Sequence, residues 1–242
     1  MIIPDNVNSI GRSAFSGCQS LIRVHLPEGL ARIEGWTFDG CTSLSDVNIP
    51  EAINYIGIAA FRNCSSLPDF QIPEGVTIID DEAFKGCKTM TVLSIPDNVE
   101  NVGWDAFMRC SELEKVTIGH SVKALEGGTF YGCDKIIEIW SYIEEPFDVI
   151  DYDLMSGDER CFPEVVTREA ILYVPQGTKE KYLDRRGWRD FTNIHDILQT
   201  GIQVSTSADN STCLIYDLSG RRVHGKPQKG VYIQGGKEVV IK

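Results

Sequence analysis

Apolar residues return along this chain with a step of 23. From Phe15 the step lands on Phe38, Phe61, Phe84, Phe107 and Phe130. Cys18, Cys41, Cys64, Cys87, Cys110 and Cys133 keep the same step. Pro4, Pro27, Pro50, Pro73 and Pro96 keep it too, until Gly119 takes the place of proline. Each unit reads P-[DE]-x-V-x-x-I-x-x-x-x-F-x-x-C-x-x-L-x-x-V-x-I, with seven apolar columns. A period of this size marks stacked copies of one supersecondary unit. It does not mark separate domains, because so short a unit cannot bury its own apolar face.

The pattern predicts the elements of each unit. The closing V-x-I pair has a period of two and is mostly β-branched, which predicts a short strand. Its columns are Val24, Val47, Phe70, Leu93, Val116 and Ile139, then Leu26, Ile49, Ile72, Ile95 and Ile118, with Ser141 ending the second column. Proline follows and stops the strand, since it has no N–H for a ladder. The A-F-x-G-C stretch reads as a turn, at most one helical turn long.

Side chains alternate along a strand. The residues flanking the inward V-x-I columns therefore face out: Arg23 and His25, Asp46 and Asn48, Asp69 and Gln71, Val92 and Ser94, Lys115 and Thr117, Glu138 and Trp140. At about 4.8 Å per unit they form a polar face roughly 25 Å wide. All of them except Val92 are candidate partner-binding residues; the plainer reading is a row of solvated strand positions. Trp140 either packs under the segment that follows or marks a contact. Packing is favoured, because Trp140 stands where the array must be closed.

The spacings L-x-x-L-x-L are those of leucine-rich repeats. The form found here, as in IPEGVTIIDDEAFKGCKTMTVLSIP from Ile72 to Pro96, resembles the BspA-like leucine-rich repeats of bacterial cell-surface proteins. The resemblance covers residues 1–141, with departures at Gly119, His120 and Ser141. It implies an α/β leucine-rich-repeat solenoid of six 23-residue repeats. A parallel sheet would line the concave face, with short turns or single helical turns opposite. It also implies a non-catalytic, surface-exposed or secreted protein that meets a protein or glycan on host or neighbouring cells through that concave face. The alternatives are a spacer that displays another domain, and an enzyme whose site the sequence does not reveal.

Residues 142–199 break the period and read as a C-terminal cap. Within them Ala170–Val174 is a predicted strand, Thr178 a helix N-cap, and Lys179–Arg186 a short helix closed by Gly187. Trp188, Phe191 and Ile194 are spaced to pack back on an apolar surface. Residues 200–242 read as a small antiparallel β module with strand candidates Cys213–Asp217, Arg221–His224, Val231–Gln234 and Lys237–Ile241. Gln234-Gly235-Gly236-Lys237 carries a two-residue hairpin signal. This module resembles sorting domains of the type IX secretion kind.

Composition narrows the function. A net charge of −12 argues against nucleic acid, which needs a basic face. No apolar run reaches the roughly 18 residues that a membrane span needs, and no signal peptide is visible. Met1 begins inside a unit with Ile3 in a strand column, so the sequence reads as a piece truncated from a longer protein.

Candidate chemistry is sparse. Six of the eight cysteines are a repeat column, expected as buried free thiols lying parallel to one another, while Cys161 and Cys213 stand apart. Asp5, Glu28, Glu51, Glu74 and Asp97 form an acidic column that must be exposed to be tolerated. One carboxylate per unit is too few for a calcium ladder. His25, His120, His195 and His224 are scattered, without a nucleophile motif or metal-ligand spacing. The clusters Asp80-Asp81-Glu82 and Asp148, Asp151, Asp153 read as solvated loops. Asn63-Cys64-Ser65 and Asn210-Ser211-Thr212 match a glycosylation acceptor. No cofactor and no metal are expected.

Overall fold

The computed structural model describes residues 1–69, 71–149 and 160–197, and the backbone of the strands Ile215–Asp217, Gly230–Gln234 and Lys237–Ile241. The units stack as successive turns of a solenoid around one apolar core. Phe38, Phe61, Phe84, Phe107 and Phe130 are fully buried, as are Cys41, Cys64, Cys87, Cys110 and Cys133. Phe15, on the first turn, is half-buried.

The phenylalanines form one continuous stack. Neighbouring rings are near-parallel, with centroids 5.3 to 5.8 Å apart. That pitch is close to the separation of paired strands, so backbone ladder and ring stack share one repeat distance. Each buried thiol of the column donates to the phenylalanine carbonyl of the turn before it, as Cys64 Sγ does to Phe38 O at 3.1 Å and Cys87 Sγ to Phe61 O at 3.3 Å. The same carbonyl also accepts from the cysteine N–H of its own turn, as Phe38 O does from Cys41 N at 3.1 Å, so the thiol adds a second bond that a valine of similar volume would not. Burial pushes the Cys41 thiol up to about 11, and Cys64, Cys87 and Cys110 move in the same direction for the same reason. Cys18, Cys41, Cys64, Cys87, Cys110 and Cys133, the repeat column, are free thiols.

The V-x-I stretches pair in parallel, as their pattern predicts, but not without a break. Arg23–Val24 pairs with Asp46–Val47. A separate five-stranded sheet joins Val92–Ile95, Lys115–Ile118, Glu138–Ser141, Ile171–Val174 and Ile194–Asp196. Among the described residues the gap falls at Pro68 and Asp69. On other turns the N–H of the matching residue bonds to the turn before, as Ser45 N does to Ile22 O at 3.0 Å and Glu114 N to Thr91 O at 2.8 Å. Pro68 has no N–H to give. Phe70, expected in the strand column, lies outside the described residues.

A second parallel sheet runs beside the first and was not expected. It consists of Arg32–Ile33, Tyr55–Ile56, Ile78–Ile79, Asn101–Val102 and Ala124–Leu125. These two-residue strands carry the early isoleucine column. A third ladder crosses the turn side: Phe38 N bonds to Ala60 O, Phe61 N to Ala83 O and Phe84 N to Ala106 O, at 2.7 to 2.8 Å. The residues two before and two after each phenylalanine from Phe15 to Phe107 bond in the same way. They hold positive φ even where they are not glycine, as at Glu82 (φ 55), Asp105 (φ 55) and Arg109 (φ 59).

The solenoid does not stop after six turns. Phe162 stacks on Phe130 at 5.4 Å, and Phe130 N bonds to Cys161 O at 2.9 Å, as on earlier turns. Ile171–Val174 then pairs in register with Glu138–Ser141. The segment expected to act only as a cap thus supplies a seventh turn before it closes the core. Trp188, Phe191 and Ile194 are buried, as their spacing predicts. Thr178 does not cap its helix in the expected way: its hydroxyl donates to Pro175 O at 2.7 Å, and the helix is Lys179–Leu183. In the C-terminal module three antiparallel strands are described, and Gln234 pairs with Lys237 across the expected hairpin. Arg221–His224 and Cys213 lie outside the described residues.

Phe84→Ala, in mid-stack, should cost about 3–5 kcal/mol in urea unfolding, and Phe15→Ala clearly less because one side of its ring is already open. Arg109→Gly should stabilise by up to about 1 kcal/mol, because glycine holds this positive φ without strain. An unchanged or lower urea midpoint for Arg109→Gly would contradict that reading.

Candidate functional site

The outward face of the V-x-I sheet holds the residues singled out in the sequence, and most of them are already engaged with the neighbouring turn. Arg23 forms an exposed ion pair with Asp46, and Lys115 pairs with Glu138 at 3.2 Å. The Asn48 side chain accepts from Leu26 N at 2.6 Å and donates to Leu26 O at 3.1 Å, mimicking a strand rung. Asp69 does more. Its carboxylate accepts from Thr91 N at 2.5 Å, Val92 N at 3.0 Å and the Thr91 hydroxyl at 2.7 Å. For Thr91 N and Val92 N this carboxylate takes the place that a backbone carbonyl holds on other turns, where Ser45 N and Asp46 N bond to Ile22 O and Glu114 N and Lys115 N to Thr91 O.

Thr117 departs from expectation most clearly. It lies on the outward side but is only 2% exposed, between Ser94 and Trp140 in the sheet register. It is therefore not an accessible contact residue. His25 and Gln71 are exposed and Ser94 is half-buried, and their side chains make no bond to a described group. Trp140 is half-buried and stacks on Tyr173 of the following turn at 4.0 Å, which agrees with the packing reading. Tyr173 is followed at 6.1 Å by the exposed ring of His195. The row Trp140, Tyr173, His195 thus lies across three adjacent strands of one face. Sequence reasoning missed Tyr173 and His195. The signal was present, since Tyr173 alternates with Leu172 and Val174 in a predicted strand.

Charge is concentrated on the turn side instead. Arg62 grips Asp39 with two bonds of 2.9 and 2.8 Å and reaches Glu82 at 2.7 Å. Lys85 then joins Glu82 at 2.7 Å to Asp105 at 2.8 Å. The five side chains form an alternating chain across four turns, each 31% exposed or less. Burial alone would raise the Glu82 carboxyl, but Lys85 and Arg62 outweigh it and hold Glu82 below its ordinary value. Asp81 shifts the other way: burial raises it, against the bond it accepts from Trp104 N at 2.8 Å. Asp80 accepts from the Tyr55 hydroxyl at 2.6 Å, and burial with that bond pushes Tyr55 up to about 12. Asp80-Asp81-Glu82 is therefore a half-buried bonding cluster rather than a solvated loop. Asp148 accepts from Arg186 N at 3.0 Å, while Asp151 and Asp153 lie outside the described residues.

The acidic column is exposed at Asp5, Glu28 and Glu51 and half-buried at Glu74 and Asp97. It ends where His120 meets Asp97 at 2.8 Å.

Asp69→Ala should lose about 1–3 kcal/mol, because it leaves two strand N–H groups without their acceptor. Asp46→Ala breaks only an exposed pair and should cost under about 1 kcal/mol. Equal urea midpoints for the two variants would remove the structural role assigned to Asp69. The lowered carboxyl of Glu82 contributes stability above its unfolded value of 4.5, and that contribution is lost as pH falls through the folded value. Glu82→Gln should therefore show a smaller drop in Tm than the parent chain between about pH 6 and about pH 3.

Comparison with known proteins agrees with this architecture. The BspA type leucine-rich repeat region matches in six copies over residues 1–93 and 61–153. A leucine-rich repeat protein from Bacteroides ovatus is similar at 26% identity and a TM-score of 0.58, over 81% of this chain and 51% of its own. The leucine-rich repeat protein of T. pallidum is similar at 26% identity and a TM-score of 0.56, over 74% of this chain and 79% of its own. The pneumococcal vaccine antigen PcpA, at 20% identity and a TM-score of 0.56, shares the fold over 74% of this chain and 42% of its own. This chain thus spans about half the length of the Bacteroides ovatus protein, 51% of it. No curated protein matches it. The matched copies run through more than half of the residues, and the chain belongs to the BspA-type leucine-rich repeat family.

Proposed function

We propose that this is a non-catalytic binding protein, displayed on a bacterial surface or secreted, that meets a protein or glycan with the outward face of its V-x-I sheet. The observation that carries this reading is the aromatic row of Trp140, Tyr173 and His195. Aromatic side chains held rigidly on a sheet, with little rotamer freedom left to lose, are the usual anchors of a binding surface. The contact region shifts accordingly from the paired charges of the early turns to the last three strands. Ser94 and the Lys115–Glu138 pair lie beside this region, and His25 and Gln71 are the open polar groups further back. The likeness of the C-terminal module to sorting domains supports a location outside the cell.

The second reading is a spacer without a ligand. It draws support from the engagement of Arg23, Asp46, Asn48, Asp69, Lys115 and Glu138 with neighbouring turns, which leaves few polar groups to offer.

The test is a binding panel of host matrix proteins and polysaccharides, run with the full chain and with a Tyr173→Ala, His195→Ala double variant. With Tm checked in parallel, the double variant should bind its partner at least about tenfold more weakly. Unchanged affinity, or no partner anywhere in the panel, would favour the spacer.

A further inference from the structure

Two half-buried aromatic rings on the outside of this solenoid are covered by arginine. The Arg32 guanidinium lies over the Tyr55 ring at 3.9 Å, reaching it from the same register position on the neighbouring strand. The Arg12 guanidinium lies over the Trp36 ring at 4.5 Å. The negative face of a π system draws a cation, and a guanidinium also stacks flat on it. Tyr173 stands in the same relation to its register neighbours, but among the described residues no cation lies over it. One face of Tyr173 rests on Trp140 at 4.0 Å. The other looks toward His195, whose ring centre is 6.1 Å away and tilted by 44°, so the two rings do not stack. His195 is exposed on the last strand of the sheet, with Nε2 bonded to Asn193 Oδ1 at 2.7 Å.

The slot between Tyr173 and His195 decides what fits. Trp140 offers no open face: Tyr173 covers one side, and its register neighbour on the other is Thr117, which is closed over. A sugar ring that stacks through its C–H groups therefore finds no platform on Trp140. Beside Tyr173, a flat group held between two rings needs about 7 Å, twice a carbon contact of about 3.5 Å. The exposed His195 ring has to swing out by about 1 Å to admit it. A puckered pyranose is thicker and demands more. Charge favours a cation here. The outward residues of these three strands are Glu138, Trp140, Ile171, Tyr173 and His195, with one carboxylate and no lysine or arginine. The net charge of −12 draws a cation in before contact. An ammonium is compact and strongly hydrated, and fills a flat slot poorly. Resting on the reading of this face as the binding surface, we infer that the Tyr173–His195 slot takes an arginine side chain of a protein partner. Its guanidinium lies flat on Tyr173, as that of Arg32 does on Tyr55, with His195 on the far side.

Blocked peptides that differ at one residue test this. The first is Gly-Ser-Arg-Ser-Gly. Its lysine counterpart keeps the charge, and its citrulline counterpart keeps the flat shape without the charge. Each is titrated into the full chain and followed by the NMR signals of the His195 ring. The arginine peptide should bind at least about threefold more tightly than either counterpart. Tyr173→Leu keeps a branched apolar side chain on the strand and, with Tm checked, should abolish that preference. Tyr173→Phe keeps the ring and should retain it. Equal binding of the arginine and lysine peptides would reduce the effect to net charge and overturn the inference. An arginine preference that survives Tyr173→Leu would place the site elsewhere and overturn it too. So would a parent chain that sediments as a dimer and is dissociated by Tyr173→Leu, which gives the slot to a second copy. A polysaccharide partner whose affinity falls in the Tyr173→Ala, His195→Ala variant would overturn the arginine slot and leave the proposed binding face standing. No partner in the panel together with no arginine preference would remove both.

Discussion

Everything in this fold depends on one constraint: a residue and its counterpart 23 positions later must sit one above the other. A single turn has almost no interior. Phe84 is buried only because Phe61 and Phe107 lie against its two faces at 5.3 Å. The thiol column adds direction to that stack, because each Sγ donates to a phenylalanine carbonyl of the turn before it. Apolar area supplies the drive, and the ladders set the register, so neither suffices alone. Charge follows the same geometry. Glu100–Lys123 at 2.8 Å, Glu112–Lys135 at 2.5 Å and Lys115–Glu138 all join residues 23 apart. Exposed pairs of this kind add little to stability, yet each penalises a slipped register.

Much of this was legible in the sequence. The phenylalanine and cysteine columns named the core, and the V-x-I pairs named the strands, because burial on a repeat leaves an identical mark in every copy. What departs from the repeat was harder to see. The second sheet hides behind a single isoleucine per turn, since two-residue strands such as Tyr55–Ile56 leave no alternation to detect. The seventh turn was masked by the longer path from Phe130 to Phe162, which breaks the step while keeping the ring stack. Asp69 looked like a surface acid because its bonds go to the backbone N–H groups of Thr91 and Val92, 22 and 23 residues later, which no local pattern reveals.

The candidate site was legible in direction but not in weight. Alternation correctly placed Arg23, Asp46, Lys115 and Glu138 on one face. It could not show that these side chains spend their charge on each other, because pairing across 23 residues is a matter of rotamer and distance. Nor could it show that Thr117 is closed over. The aromatic row emerged only when the turn after Trp140 was seen to continue the sheet, bringing Tyr173 and then His195 alongside.

At the level of Pro68 the two walls of the solenoid are joined differently. On the V-x-I side, the strands of the described residues leave a gap between Asp46–Val47 and Val92–Ile95. On the turn side, hydrogen bonds pass through the same level unbroken, from Phe38 N to Ala60 O and from Phe61 N to Ala83 O. Asp69 joins this level to the next through its bonds to Thr91 N and Val92 N, so one wall of the tube is held here by a side chain and the opposite wall by its backbone. Loss of that carboxylate would loosen a single storey on one wall while the phenylalanine stack and the turn side keep their contacts.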